Sequence, residues 1–273
     1  MSMLIKGLFA GAVALGGLYV LSTQGRTGHP GLEALKGWNY AHRGLHSPGV
    51  PENSLAAFRA AVEHGYGAEL DIHLLRDGGL AVIHDSLLKR TTGMEGRIED
   101  LTTDELTDYR LEGTEETIPT FQQVLQVFGG KTPLIIELKP EGGNHAALCM
   151  AACAAMAGYE GVWCMESFDP RVIHWLRKNR PDIIRGQLAE NSLKNPNSKL
   201  PLILKLILSF HLENFLCRPD FIAYHYGTRK VLSNPICRRL WGIEAVSWTL
   251  RTPEEHETAL KEGWIPIFEN YLP

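Results

Sequence analysis

The sequence predicts a single (β/α)₈ barrel, and three observations carry that prediction. Eight short apolar runs, each strand-sized, alternate with amphipathic stretches from about residue 37 onward. The stretch they occupy, about 235 residues, is close to the roughly 250 such a barrel takes. Ionisable residues gather at the ends of the early runs, where a barrel keeps its chemistry. A doubly wound open sheet is the competing architecture, but no GxGxxG turn follows the first run.

The first 25 residues stand apart. After Lys6, the stretch from Gly7 to Ser22 carries no charge, which puts it at the lower limit of the roughly 17–25 residues a bilayer span takes. Val20-Leu21-Ser22 is a poor small-x-small cleavage site, so residues 1–25 read as an uncleaved membrane anchor with signal-like character. Four glycines in the run argue against a buried helix. Flanking charge is thin (Lys6 against Arg26 and Lys36) and sets the orientation only weakly, with a slight lean to an extracytoplasmic barrel.

The barrel is expected over 37–273. Strands fall near 38–41, 67–73, 134–138, 162–166, 184–188, 220–224, 244–248 and 265–268. Helices fall between them, as at 54–64, 146–157, 169–179 and 253–262, with Ser54 and Asp169 as N-caps and Gly65 and Gly263 as stops. The run 80–83 follows Asp77-Gly78-Gly79 too closely for a crossover helix and reads as a hairpin off the second strand. Residues 192–216 depart from the pattern: a polar loop leads into Leu200–Leu212, which is apolar nearly all round. That pattern suggests a lid or interfacial helix rather than an ordinary barrel helix.

Composition narrows the function classes. A net charge of −4 gives no reason to expect nucleic acid as a partner. Cys149, Cys153, Cys164, Cys217 and Cys237 form no CxxC pair and no zinc spacing, so they read as packing residues.

On the barrel, His42 and Arg43 end the first strand. Glu69, Asp71 and His73 alternate along one face of the second, and Glu137 and Lys139 repeat that spacing on the next parallel strand. Unpaired carboxylates inside a barrel are costly. A hard divalent cation held by Glu69, Asp71 and Glu137 would compensate them, and so would an ion-pair network with Arg43 and Lys139.

Seven blocks then appear in one order: His42-Arg43-Gly44, Pro51-Glu52-Asn53-Ser54, Glu69-Leu70-Asp71, Val82-Ile83-His84-Asp85, Arg90-Thr91-Thr92-Gly93, Asp100-Leu101-Thr102 and Ile136-Glu137-Leu138-Lys139. Together they resemble the glycerophosphodiester phosphodiesterase family, densely from 41 to 139 and more thinly afterwards at Ser167-Phe168 and Trp248-Thr249. The resemblance implies a TIM barrel that uses one divalent cation, Ca²⁺ or Mg²⁺, to hydrolyse glycerophosphodiesters to glycerol 3-phosphate and an alcohol. It makes His42 and His84 the acid–base pair, Glu69, Asp71 and Glu137 the metal ligands, and Arg43 and Lys139 the phosphate-binding cations. Glu52 would support the metal or the His-Arg turn, His73 would line or support the pocket, and Trp248 would pack in the core or wall the glycerol.

The chain lacks the family's Thr-Asp-x-Pro ending, which puts a contribution from its last strand, Ile267-Phe268-Glu269-Asn270, in doubt. The N-terminal segment and residues 200–216 point to a membrane surface as partner. They leave open a lysophospholipase D that acts on single-chain phospholipids, and a non-catalytic membrane-bound lipid- or phosphate-binding module.

Overall fold

The computed structural model describes the backbone of residues 3–273 and the side chains from residue 10 onward. Its framework is nine strands: β1 Tyr40–Ala41, β2 Gly67–Leu74, β3 Leu80–Val82, β4 Leu134–Leu138, β5 Trp163–Ser167, β6 Arg185–Ala189, β7 Phe221–His225, β8 Glu244–Leu250 and β9 Ile265–Phe268. The order β1-β9-β8-β7-β6-β5-β4-β2, closed by β1 against β2, makes an eight-stranded parallel barrel. The ninth strand, β3, pairs antiparallel with Ile72–Leu74 and stands outside the ring as the expected hairpin.

The helices are α1 Met3–Ser22, α2 Leu55–Glu63, α3 Lys89–Thr92, α4 Phe121–Phe128, α5 His145–Ala155, α6 Pro170–Asn179, α7 Leu202–Ser209, α8 Asn214–Cys217, α9 Ser233–Pro235 and α10 Pro253–Lys261. Local chemistry starts several of them. The Ser54 hydroxyl accepts from the Ala57 amide, Asp169 from the Arg171 amide, and Thr120 forms a reciprocal capping box with Gln123; each such cap contributes about 1 kcal/mol.

Strand alternation divides the core in two. Leu134, Ile136 and Leu138 of β4 face outward onto the helices, together with Leu70, Ile72, Phe58 and Phe128. Ile135 faces inward with Tyr40, Cys164, Phe221, Val246 and Ile267, and this apolar plug is closed from below by Leu32 and Leu35. Every inward residue above the plug can be polar without being wasted, because the strand ends open there to the loops. All five cysteines are buried and unpaired, as packing residues should be.

One expectation about the ends of the fold needs correction. Among the described residues, no helix is long and apolar enough to cross a membrane, so the spanning anchor expected over 1–25 is not supported; residues 1–2, and the side chains of 3–9, lie outside the described residues. Among the described residues, helix α1 is tied to the barrel at and just beyond its C-terminal turn, where the Trp241 indole donates to the Val20 carbonyl (3.1 Å) and Asn214 to that of Thr23 (3.2 Å). The segment 192–216 is the one expected to form a lid or interfacial helix. It forms a loop followed by two short helices, and on α7 only Ser209 is buried. The all-round apolarity of that segment therefore reflects exposure on one side, not burial on both.

Candidate active site

The site lies at the C-terminal ends of the strands, and its floor is fixed by register. Asp71 of β2 sits beside Glu137 of β4, and Glu137 beside Glu166 of β5. Neighbours in a parallel sheet point the same way, so three carboxylates line up across three strands. Glu69 adds a fourth from one step lower on β2. Oxygens of Glu69, Asp71 and Glu137 all lie within 4.8 Å of one another, and all three residues are buried.

The His42-Arg43-Gly44 turn wraps over this floor. Arg43 holds a left-handed conformation (φ +55°), and Gly44 follows at +78°. A side chain at Gly44 would also meet the Ala57 Cβ at 2.9 Å, so only glycine lets the turn lie on α2. The turn is tied in place through the Pro51–Ser54 block. The Arg43 amide donates to Glu69 (3.1 Å) and the Asn53 amide to the Arg43 carbonyl (2.9 Å), while the Asn53 side chain donates to Asp71 (2.9 Å). Glu52 grips the Arg43 guanidinium (2.9 Å) and Arg90 (2.7 Å), so it supports the His-Arg turn and is not among the clustered carboxylates.

The two histidines are built alike. His42 Nδ1 lies 2.6 Å from Glu269, and His84 Nδ1 lies 2.6 Å from Asp85. An ionised carboxylate accepts only, so each Nδ1 carries a proton and Nε2 is the atom left to face the cavity chemistry. Both rings line one small cavity with Arg43, Glu69, Glu137, Glu166, Phe168 and Trp248. Glu269 follows β9 directly. The last strand therefore does contribute, and the doubt raised by the missing Thr-Asp-x-Pro ending is resolved by a glutamate in its place.

His73 does not join the carboxylates. It is buried, with Nδ1 2.7 Å from Glu99 and Nε2 3.2 Å from the His84 carbonyl, so it steadies the loop that carries His84. Trp248 divides its roles: its indole donates to the Ala223 carbonyl (3.1 Å), while the ring stands edge-on to Phe168 at 5.5 Å and lines the cavity. Lys139 reaches Glu137 at 2.7 Å and Asp71 at 3.1 Å.

Electrostatics follow from this crowding. Burial, then Asp71 and Glu137, push the Glu69 carboxyl well above the usual range. Burial and then Glu137 do the same to Glu166, and burial raises Glu137 despite Lys139. Burial opposes the ionisation of Asp71 too, but Lys139, His84 and Arg43 outweigh it and hold Asp71 well below. Burial pushes the His42 imidazole down to about 4.

The ion-pair alternative is thus present in part, yet it does not balance. Among the described residues, Glu69, Asp71, Glu137 and Glu166 face two mostly buried cations, Arg43 and Lys139, because Glu52 and Arg90 pair with each other. With every carboxylate ionised the floor would be two positive charges short, which agrees with the raised carboxyls of Glu69, Glu137 and Glu166, and one Glu166 oxygen has no hydrogen-bond partner. A divalent cation fits both the deficit and the all-oxygen donor set.

Glu166, Glu269, Asn53 and Asp85 had no assigned role in the sequence. The signal for Glu166 was a carboxylate in the otherwise apolar run 162–166; for Glu269, its place just after the last strand. A cleft of about 740 Å³ opens beside the histidines, lined by His73, His84, Lys139 and Phe168 among others.

A family model described as the glycerophosphoryl diester phosphodiesterase family matches residues 42–272. The glycerophosphodiester phosphodiesterase of Caldanaerobacter subterraneus subsp. tengcongensis is 31% identical over 234 residues, covering 82% of this chain and 89% of that one. Mouse glycerophosphodiester phosphodiesterase 1 is 27% identical over 260 residues, covering 82% and 76%. Among solved structures, the glycerophosphodiester phosphodiesterase of Thermotoga maritima superposes with a TM-score of 0.65 at 26% identity, covering 85% of this chain and 93% of that one. An Oleispira antarctica phosphodiesterase in complex with the product sn-glycerol-3-phosphate shares the fold, with a TM-score of 0.71 at 22% identity over 89% and 95% of the two chains.

Proposed function

Because the chain belongs to the glycerophosphoryl diester phosphodiesterase family, and so to a family of enzymes, we propose that it hydrolyses glycerophosphodiesters to glycerol 3-phosphate and an alcohol with one divalent cation, Ca²⁺ or Mg²⁺. The observation that carries this reading is the pair of carboxylate-held histidines facing a floor of buried, clustered carboxylates that could hold a metal ion. The product seen in the Oleispira relative agrees with it. Membership of an enzyme family sets aside the non-catalytic binding module.

Glu69, Asp71 and Glu137 would hold the cation, whose chemistry is to neutralise charge that builds on phosphoryl oxygens. Arg43 and Lys139 face the same oxygens and add to that neutralisation in a pocket with little water. One histidine takes the proton of the attacking hydroxyl, the glycerol 2-hydroxyl of the substrate, and the other gives a proton to the leaving oxygen; the roles reverse when water opens the resulting cyclic phosphate. Glu269 and Asp85 hold each Nδ1 protonated, so that the unprotonated Nε2 of one ring accepts a proton and the protonated Nε2 of the other gives one. The test is release of glycerol 3-phosphate from glycerophosphocholine, lost in EDTA and restored by Ca²⁺ or Mg²⁺. No release with either cation would overturn the reading.

A second substrate class is favoured by one feature. A groove of about 650 Å³, walled by Leu188, Ala189, Leu200, Leu204 and Leu208, meets the catalytic cleft at Phe168. It suits a single alkyl chain, as in lysophospholipase D action. Faster turnover of lysophosphatidylcholine than of glycerophosphocholine would select this class. The location is proposed from α1, whose Val13, Leu15, Leu18 and Leu21 are all more than half exposed. Such a helix needs an apolar cover, and attachment to a membrane supplies one.

A further inference from the structure

Helix α7 and its surroundings form a surface that the chemistry of the site does not use. Leu202, Ile203, Leu204 and Leu206 are between 37% and 66% exposed, so one short helix turns four aliphatic side chains to solvent. Its neighbours do the same at Leu232 and Leu240. These elements are one packed unit: the Tyr224 hydroxyl donates to the Ser209 carbonyl (2.9 Å), and His211 at the end of α7 meets Asn234 of α9 at 2.9 Å. A soluble surface rarely presents such a run of exposed aliphatic side chains without a partner.

The charge around this unit is equally one-sided. Residues 192–241 carry eight lysines and arginines against two acidic residues, in a chain whose net charge is −4. Both acids, Glu213 and Asp220, are buried, and Asp220 is paired with Arg26. Among the described residues, Lys194, Lys199, Lys205, Lys230 and Arg239 are in no ion pair, and Lys205 lies within α7 itself. An apolar strip edged by unpaired lysines is complementary to a bilayer carrying anionic head groups: aliphatic side chains enter the acyl boundary and ammonium groups stay among the phosphates.

We propose that the α7 face docks on an anionic membrane surface, as a contact separate from α1 and not dependent on it. Helix α7 also supplies Leu204 and Leu208 to the groove beside Phe168, so docking would set that groove against the lipid. Each basic residue near such a surface strengthens binding by roughly fivefold, and the contribution is screened by salt.

The test uses the full chain with Ile203→Cys, labelled with an environment-sensitive dye. The five native cysteines are buried, so the label reports position 203 alone. Unchanged hydrolysis of soluble glycerophosphocholine checks the fold. On vesicles of phosphatidylcholine with a third phosphatidylglycerol, the expected result is a blue shift that weakens in high salt. Lys199→Glu with Lys205→Glu should weaken binding by more than tenfold. A label that stays in water while the protein co-sediments with the vesicles would leave the α1 attachment standing and overturn this proposal. An equal shift on pure phosphatidylcholine would overturn the anionic preference. A concentration-dependent shift without vesicles would assign the face to a second copy of the chain, and no binding to any vesicle would sink both membrane readings.

Discussion

His42 and His84 share one cavity and one pattern of support, yet the protein treats them differently. The His42 side chain is 11% exposed, at the end of a barrel strand between β9 and β2; that of His84 is 31% exposed, on the loop after the hairpin. The first follows a strand paired on both sides, and burial favours its neutral ring. The second sits among Asp85, Arg90 and Glu52, in contact with water in the wide cleft. A reaction that must take one proton and return another is served by such an asymmetry, one ring held dry and one able to exchange protons with solvent.

The largest expected effect comes from breaking either side. His42→Ala and His84→Ala should each lower kcat by about 10²–10⁴-fold while leaving metal affinity and the melting temperature nearly unchanged. The double variant should be little worse than either single one, since the two act as a unit. Steady-state kinetics beside a metal titration check this; retained turnover in either variant breaks the assignment.

Next in size is the dependence on cation and pH. Glu69 and Glu137 are raised in the folded, cation-free protein, so the stability they contribute is present below their unfolded pKa near 4.5 and is lost as pH rises through the raised values. The cation-free protein should therefore lose stability with rising pH, and Ca²⁺ or Mg²⁺ should raise the melting temperature more at pH 8 than at pH 5. Thermal unfolding with and without EDTA at both values reads this. A gain that shrinks with pH would argue against proton displacement by the cation.

The orienting carboxylates sharpen the contrast. Outer partners of this kind are worth about 10–100-fold. Glu269→Gln should approach the upper figure, because buried His42 has no water to replace the lost acceptor, and Asp85→Asn the lower. Glu269→Asp should recover part of the loss. Equal losses at both positions would show that exposure does not separate the two arms.

The smallest effect is on stability. Burial lowers His42 from 6.5 to about 4, so its contribution is present above pH 6.5 and is lost as pH falls through about 4. His42→Gln should flatten the acid side of the stability curve measured in EDTA. An unchanged slope would place the acid sensitivity elsewhere.

The ring of strands was legible because each run was apolar, short and bounded by turns, and the early site residues were legible because motif and strand end coincide. Long-range partners were not. His42 and Glu269 are 227 residues apart, and nothing local to either names the other. Glu166 was hidden because a single acid in an apolar strand reads as noise until register sets it beside Glu137. The exposure of α7 was half visible: its composition flagged an unusual helix, but only packing tells an outward face from an inward one.

The pairing of the first and last strands has a consequence in time. His42 follows the first barrel strand and its carboxylate partner follows the last, 227 residues later, so a ribosome makes one long before the other. Until Glu269 has been synthesised and β9 has closed against β1, the His42 ring lacks the acceptor that fixes its proton. A nascent or partly closed barrel would carry most of the site and still turn over little, so hydrolysis becomes a readout of closure itself.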